Sequence, residues 1–151
     1  MTDSLKIENT SMEKLQKLIS ETIDSSMKKK LQHHVEETNE QIQRITKLMG
    51  EKGIDKTDER ALAPEIEVPR GDIPAEEIVT GEQEIKMADN VKNGYAYENF
   101  EIAHYEILKN QADDANDKET KRMAEENLRE EKEFVKEMGE MIPDLVRRQM
   151  L

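Results

Sequence analysis

The spacing of apolar residues constrains this chain more than any other feature of its sequence. Apolar side chains recur at steps of three and four residues through most of the chain, whereas alternating runs rich in Val, Ile and Thr are nearly absent. Because this period is typical of amphipathic helices, we predict an all-α protein. Its 151 residues suit one domain, so we expect residues 1–151 to fold as a single unit.

The same pattern predicts four helices, and local signals mark some of their ends. The predicted helices cover about residues 5–23, 25–50, 81–112 and 116–142. Asp24 can cap the second helix, and Gly50 or Gly53 can end it. Because proline interrupts the helical hydrogen bonds, we expect Pro143 to end the fourth helix.

A linker of about residues 53–80, where the apolar period is lost, separates the second and third helices. Thr80-Gly81-Glu82-Gln83 then has the form of a capping box that opens the third helix. Two helices, a long connection and two more helices are the connectivity of a ferritin-like four-helix bundle, in which the second and third helices run parallel. The linker is either this crossover alone or also a docking loop for a protein partner. The tail, residues 144–151, can add a helical turn or bind a partner.

Charge and composition exclude several classes of protein. The 35 acidic residues outnumber the 23 basic ones and leave a net charge of -12, which repels nucleic-acid phosphates. The absence of cysteine excludes disulfides and thiolate metal ligands. No stretch approaches the ~18 apolar residues of a membrane span, and the first residues lack an apolar leader. We therefore predict a cytoplasmic protein that binds neither nucleic acid nor membrane.

The predicted fourth helix has an acidic residue inside its apolar face. At 100° per residue, Glu131 lies near the middle of the face that carries Met123, Leu128, Phe134 and Met138. A buried carboxylate is costly unless it coordinates a metal, pairs with a cation or stays protonated. A loosely packed core position is the alternative explanation.

Two further helices offer metal-ligating residues at a spacing of three. His34 and Glu37 flank the apolar stripe of the second helix, so both can point into one cavity. In the third helix Glu98, Glu101 and His104 follow one another at steps of three, and the last two have the Glu-x-x-His form of di-iron bundles. Each of these residues can instead lie at a solvent-exposed edge.

Glu8 continues the apolar face of the first helix, so every predicted helix has a candidate inward Glu. One Glu per helix is the minimum for a dinuclear carboxylate site. Oxygen-rich ligation with a few imidazoles favours iron or manganese over zinc. The complete set of candidate metal ligands is Glu8, His34, Glu37, Glu98, Glu101, His104 and Glu131.

Three segments resemble the ferritin-like YciE/YciF family of bacterial stress-associated proteins. The segment 32–38, Gln-His-His-Val-Glu-Glu-Thr, is similar to the family's His-Leu-Glu-Glu-Thr, and residues 98–105 and 128–132 resemble two further family segments. The resemblance implies a bundle that is commonly dimeric and has a dinuclear metal site built from these Glu positions. Counting back from Glu37 places the family's first-helix Glu on Glu8. The chain departs from the family at Gln41, Asn99 and Val135, where members often carry His or Asp.

Three functions are compatible with these features. The first is a stress-associated protein whose dinuclear iron or manganese site handles Fe(II), O₂ or peroxide, with oxidase or ferroxidase activity as its enzymatic form. The second is a non-catalytic bundle with a degenerate metal site that acts as an interaction module, through the linker, the tail or a homodimer contact. A haem held between His34 and His104 is the third.

Overall fold

The computed structural model describes residues 1–22, 24–55 and 82–149, apart from the side chains of 82–88, 145, 146, 148 and 149. These residues form four helices, α1 (Thr2–Glu21), α2 (Ser25–Glu51), α3 (Glu82–Asp114) and α4 (Lys118–Gln149). The described ranges contain no strand, so the all-α prediction is confirmed. None of the described helices is both long and apolar enough to cross a lipid bilayer. Most of the predicted linker, including the start of the capping box at Thr80 and Gly81, lies outside the described residues.

Helix α1 packs against α2 and α3, and its contacts fix the direction of α3. Ser11 of α1 donates a hydrogen bond to Glu101, and Asn90 donates to Glu21 ten residues further along α1. The chain numbers therefore run in opposite directions, so α1 and α3 are antiparallel. The short connection at residues 22–24 makes α1 and α2 antiparallel as well.

Helix α4 packs against α2 and α3 on the other side of the bundle. Lys30 pairs with Glu137, and Lys52 near the end of α2 pairs with Asp117 just before α4. Helices α2 and α4 are therefore antiparallel. It follows that α2 and α3, whose backbones do not pack directly against each other in the described residues, run parallel on a diagonal of the bundle. This is the predicted connectivity of a ferritin-like four-helix bundle.

Side-chain and backbone caps define the helix ends. Asp24 accepts a 2.7 Å hydrogen bond from the backbone N–H of Met27, which confirms the predicted cap of α2. Gly53, with φ of 65°, ends α2, and Asn116, with φ of 55°, ends α3. At both ends the N–H of this left-handed residue and the N–H of the residue after it donate to carbonyls of the last turn, as in a Schellman motif.

Two predicted boundaries of α4 are wrong. The helix begins at Lys118 because Asn116 takes a left-handed conformation and Asp117 instead accepts the capping bond from the N–H of Thr120, at 3.2 Å. It also continues through Pro143 to Gln149. A proline removes one backbone hydrogen bond, but its φ is compatible with a helix, so the chain can remain helical beyond it.

The core consists of two apolar clusters at different heights of the bundle. The first cluster contains Leu15, Leu18, Met27, Leu31, Val91, Phe134 and Met138. The second contains Leu5, Ile45, Leu48, Met49, Tyr105, Met123, Ala124 and Leu128. In all four helices, buried polar residues occupy the helical turns that lie between the two clusters. We call this region the polar layer.

The left-handed residue at the end of α3 provides a test of the fold. We expect Asn116→Ala to lower the free energy of unfolding by about 1 kcal/mol, because a Cβ-bearing residue other than Asn or Asp is disfavoured in this conformation. Asn116→Gly should be neutral or stabilising. As a control, Asn39→Ala on the exposed face of α2 should stabilise the protein by about 0.5 kcal/mol. Urea unfolding followed by circular dichroism measures all three, and equal effects of the two alanine variants would contradict the assignment.

Candidate metal centre

Four carboxyl groups and one imidazole occupy the centre of the polar layer. Glu8 belongs to α1, His34 to α2, Glu98 and Glu101 to α3, and Glu131 to α4. Each of these five residues is at most 2% exposed. Every helix of the bundle therefore contributes at least one potential metal ligand to a region in which these side chains are almost fully buried.

The imidazole of His34 is held on three sides. Its ring stacks on Phe134, with centroids 3.6 Å apart and an angle of 14° between the planes. Its Nδ1 lies 3.0 Å from an oxygen of Glu37, and its Nε2 lies 3.2 Å from Glu98 and 3.4 Å from Glu131. One nitrogen thus contacts a carboxylate at the bundle's edge while the other points into the polar layer.

Three of the four buried glutamates share one pattern of hydrogen bonding. Tyr105 donates to one oxygen of Glu8, Ser11 donates to Glu101 at 3.1 Å, and Gln41 donates to Glu131 at 2.6 Å. The second oxygen of each of these glutamates is buried and has no hydrogen-bond partner among the described residues. Each carboxylate is therefore fixed by one oxygen, while the other makes no hydrogen bond and, in Glu131, lies 3.4 Å from Nε2 of His34.

The donors to Glu8 and Glu131 belong to one chain of hydrogen bonds that passes behind the carboxylates. Gln41 also donates to Glu130 at 3.1 Å, and Arg44 bonds both Glu130 at 2.6 Å and Asn127 at 2.7 Å. Asn127 in turn donates to the hydroxyl of Tyr105 at 2.9 Å, which closes the chain. We call these five residues, Gln41, Arg44, Tyr105, Asn127 and Glu130, the supporting network.

Sequence reasoning did not identify the supporting network. Of its members, only Gln41 was singled out by the sequence, as a departure from the resembling family. Asn127 lies four residues before Glu131, and Glu130 lies directly before it. The helical period places both on the inward side of α4, and this position is the signal that could have identified them. Ser11, one turn from Glu8 on α1, gave no distinguishing signal.

Burial and mutual repulsion set the ionisation of the carboxyl groups. Burial is the main cause that raises the pKa of Glu8 and Glu101 well above the usual range, and repulsion by nearby carboxylates raises it further. Burial is also the main cause that raises the pKa of Glu131 to about 7. Burial opposes charge on Glu98 and His34 as well. Their mutual attraction outweighs it, so the pKa of Glu98 is lowered and that of His34 is raised.

The structure brings five of the seven predicted ligands together and places two elsewhere. Glu37, whose side chain is 24% exposed, lies behind His34 and contacts its outer nitrogen. His104 is half-buried, and its Nε2 lies 2.9 Å from the hydroxyl of Ser4. Because His34 and His104 engage different partners, their placement gives no support to a haem held between them. The ligating atoms of His34, Glu98 and Glu131 lie within 4.8 Å of one another, as a shared ion would require.

Two of the departures from the resembling family have different structural settings. Gln41 is buried in the polar layer and donates to Glu131 through its amide. Asn99 is exposed and donates to the carbonyl of Tyr95 at 2.7 Å. The departure at Gln41 therefore changes the centre itself, whereas Asn99 lies outside it.

Comparison with known proteins identifies relatives of this fold. The structure resembles a protein of Xanthomonas campestris pv. campestris, with 20% identity over 99% of this chain and 92% of that chain and a TM-score of 0.72. It also resembles the Escherichia coli stress protein YciF, with 21% identity, coverage of 96% and 91%, and a TM-score of 0.71. YcfI from Rhodopseudomonas palustris shows 24% identity, coverage of 91% and 89%, and a TM-score of 0.67.

Among curated proteins, no significant match to this chain is found. A family model described as "Domain of unknown function (DUF892)" matches residues 1–151. Together with the YciF and YcfI folds, this confirms the predicted relationship to the YciE/YciF family. The chain therefore belongs to the DUF892 family.

Proposed function

We propose that this protein binds two divalent iron or manganese ions in the polar layer and uses them to handle Fe(II), O₂ or peroxide. The observation that carries the proposal is the arrangement of Glu8, Glu101 and Glu131. Each has one oxygen fixed by a hydrogen bond and one buried oxygen that accepts no hydrogen bond from the described residues. A bound cation would satisfy these oxygens.

The charges of the layer support two ions. If all four carboxyl groups were ionised beside a protonated His34, the layer would hold a net charge of -3 in a medium that solvates charge poorly. An uncompensated buried ion costs several kcal/mol. Two divalent cations would balance four carboxylates and a neutral imidazole. In the metal-free protein, the raised pKa values of Glu8, Glu101 and Glu131 relieve the same imbalance by protonation.

The positions of the side chains support an assignment of ligands. His34, Glu98 and Glu131 would hold one ion, because their ligating atoms already lie within 4.8 Å of one another. The unpartnered oxygens of Glu8 and Glu101 would serve the second ion. Glu37 and His104, which the sequence also proposed as ligands, would not bind directly. Glu37 would instead orient His34, since a hydrogen bond at Nδ1 leaves Nε2 free to ligate.

Bound iron or manganese would supply the capacity to exchange electrons with O₂ or peroxide. The chain's own residues would hold and isolate the site. Phe134 stacks on His34 and prevents the imidazole from rotating out of the layer. The apolar clusters on both sides of the layer exclude water, and the supporting network keeps the carboxylates of Glu8 and Glu131 in place. Oxygen-rich ligation with one imidazole suits iron or manganese better than zinc.

Metal binding gives the first test of this proposal. After anaerobic reconstitution with Fe(II) or Mn(II), we expect about two ions per chain by elemental analysis, retained through dialysis. Because Glu131 is one of the three ligands assigned to the first ion, Glu131→Gln should reduce this to one ion or none. Glu133→Gln, an exposed position on the same helix, is the matched control and should leave the count unchanged.

Thermal unfolding provides a second measure of the same binding. A ligand present at about 100 times its dissociation constant stabilises the folded state by about 2.7 kcal/mol, and we expect this stabilisation in the wild type and in Glu133→Gln. It should be lost in Glu131→Gln. Dialysis that removes the metal from the wild type would contradict the proposal.

The pKa of Glu131 gives a pH-dependent prediction for the metal-free protein. Its pKa rises from the usual 4.5 in the unfolded chain to about 7 when folded. Between these values the folded protein retains a proton that the unfolded chain has lost. The free energy of unfolding should therefore fall as pH rises, by up to ~1.4 kcal/mol per pH unit from this group.

Glu131→Gln lacks this proton and serves as the reference in urea unfolding at several pH values. We expect the wild type to lose stability relative to Glu131→Gln across the interval. A constant difference between the two proteins would contradict the raised pKa. Metal binding should show the opposite trend, because the ion displaces the proton and binds more tightly as pH rises.

We also propose that the protein forms a homodimer through the outer face of α3. Phe100 is 38% exposed and Ile107 is 59% exposed, and Ala96 and Ala103 continue the same stripe at steps of three and four. Exposed large apolar side chains on one helix face are typical of a protein interface. The resemblance to a commonly dimeric family agrees with this proposal.

Sedimentation velocity tests the interface. We expect the wild type to sediment as a dimer and Ile107→Glu to sediment as a monomer, because the new charge would be buried at the contact. Ile142→Glu places the same charge on α4 at another exposed apolar position, and it should leave the dimer intact. Equal effects of the two substitutions would argue against the α3 interface.

A further inference from the structure

A groove between α1 and α3 reaches the polar layer from the protein surface. The groove has a volume of about 110 Å³, and its lining includes Lys14 and Lys17 of α1 and Asn90, Asn93 and Tyr97 of α3. Glu98 also lines the groove. Because the carboxylate of Glu98 contacts His34 Nε2 at 3.2 Å, one residue belongs both to the groove wall and to the candidate metal centre.

A glycine allows the helices to approach closely along this groove. A Cβ placed on Gly94 would lie 3.3 Å from Met138 and 3.5 Å from Leu18. A larger side chain at this position would push α3 away from its neighbours or fill the inner part of the groove. The absence of a side chain at Gly94 thus keeps the space next to Glu98 open.

Among the described side chains, the rim of the groove is basic although the protein is acidic overall. The whole chain carries a net charge of -12, yet Lys14 and Lys17 stand at this rim with one described carboxylate, that of Glu21. Asn90 donates a hydrogen bond to this carboxylate, and the ammonium of Lys14 lies 5.1 Å from the centroid of the Tyr97 ring. The positive charge at the rim favours the entry of anions and uncharged molecules, while the carboxylate of Glu98 lies at the inner end of the groove.

We propose that this groove is the route by which the small-molecule substrate reaches the centre, and that the substrate is an uncharged or singly negative species of peroxide size. Pockets for organic metabolites and drugs enclose about 300–1,000 Å³, so a groove of this volume suits molecules of a few heavy atoms. The inference rests on the proposed function only in assuming that a metal centre lies at the inner end of the groove. It assigns Lys14 to substrate recognition.

Binding of azide to the metal-free protein tests the groove independently of any metal. The chain has three tyrosines and no tryptophan, so 3-fluorotyrosine labelling gives a simple ¹⁹F spectrum that Tyr→Phe variants can assign. We expect azide to shift the signal of Tyr97 saturably. Tyr95, which lies beside Gly139, and the buried Tyr105 should be unaffected and act as internal references. Methylammonium, a small cation, should produce no shift of Tyr97.

Two substitutions locate the response. Lys14→Gln should weaken azide binding at least threefold, whereas Lys47→Gln removes the same charge from an exposed position on α2 and should have no effect. Asn93→Trp should block the groove and abolish the Tyr97 shift, while Asn39→Trp on the exposed face of α2 should not. Absence of a Tyr97 shift, or equal effects of the two lysine variants, would overturn the proposal.

A cobalt experiment then connects the groove to the centre. In Co(II)-loaded protein we expect azide to change the visible spectrum, and the rate of this change reports the association of azide. This rate should be at least tenfold lower in Asn93→Trp than in the wild type, while the cobalt content of the two proteins is the same. An unchanged rate would show that substrates reach the centre by another route. Failure of Co(II), Fe(II) and Mn(II) to bind would instead contradict the proposed function, and the fluorine experiment would still decide whether the groove recognises small anions.

Discussion

Burial of four carboxyl groups around a single imidazole is the constraint on which the rest of this structure depends. Glu8, Glu98, Glu101 and Glu131 meet His34 between two apolar clusters, where unpaired charge is expensive. A bundle selected only for stability would fill this layer with apolar side chains. The layer is instead built from polar residues on all four helices, and departures of this kind from regular packing are expected at functional sites.

The hydrogen bonds around the polar layer show how the fold accommodates the free-energy cost of burying these carboxyl groups. Donors from three helices, Ser11, Gln41 and Tyr105, each fix one oxygen of a different glutamate. Arg44, the cation of the supporting network, compensates Glu130 rather than the central carboxylates. The network thus positions the carboxylates without neutralising them, and it leaves their charge to be balanced by protons or by bound cations.

The helical period predicted the fold because the apolar clusters repeat the same stripe in each helix, and the loss of that period predicted the long connection. Glu131 and Glu8 were predicted to face inward because each lies within such a stripe. The choice between His34 and Glu37 could not be made from the sequence. Both flank the stripe at similar angles, and the stacking of Phe134 from another helix decides which one enters the layer. Pro143 was wrongly predicted to end the helix, because its φ is compatible with a helix and the chain continues past it with one backbone hydrogen bond fewer.

Roles that depend on contacts between helices also could not be predicted from the sequence. His104 has the spacing of a ligand after Glu101, but Ser4 of α1 takes its imidazole. Ser11 is a polar residue in a chain with 38% charged residues, so nothing in its spacing distinguished it from a solvent-exposed position, and the spacing of Asn127 indicated an inward side but no partner. Their importance follows only from the partners that the folded bundle supplies.

The most direct test of the central claim is a crystal structure of the protein grown with Mn(II), with anomalous scattering used to locate the ions. The account predicts two anomalous peaks in the polar layer, one coordinated by the side chains of His34, Glu98 and Glu131 and the other by those of Glu8 and Glu101. A layer without anomalous density, or manganese found only at surface carboxylates, would contradict it.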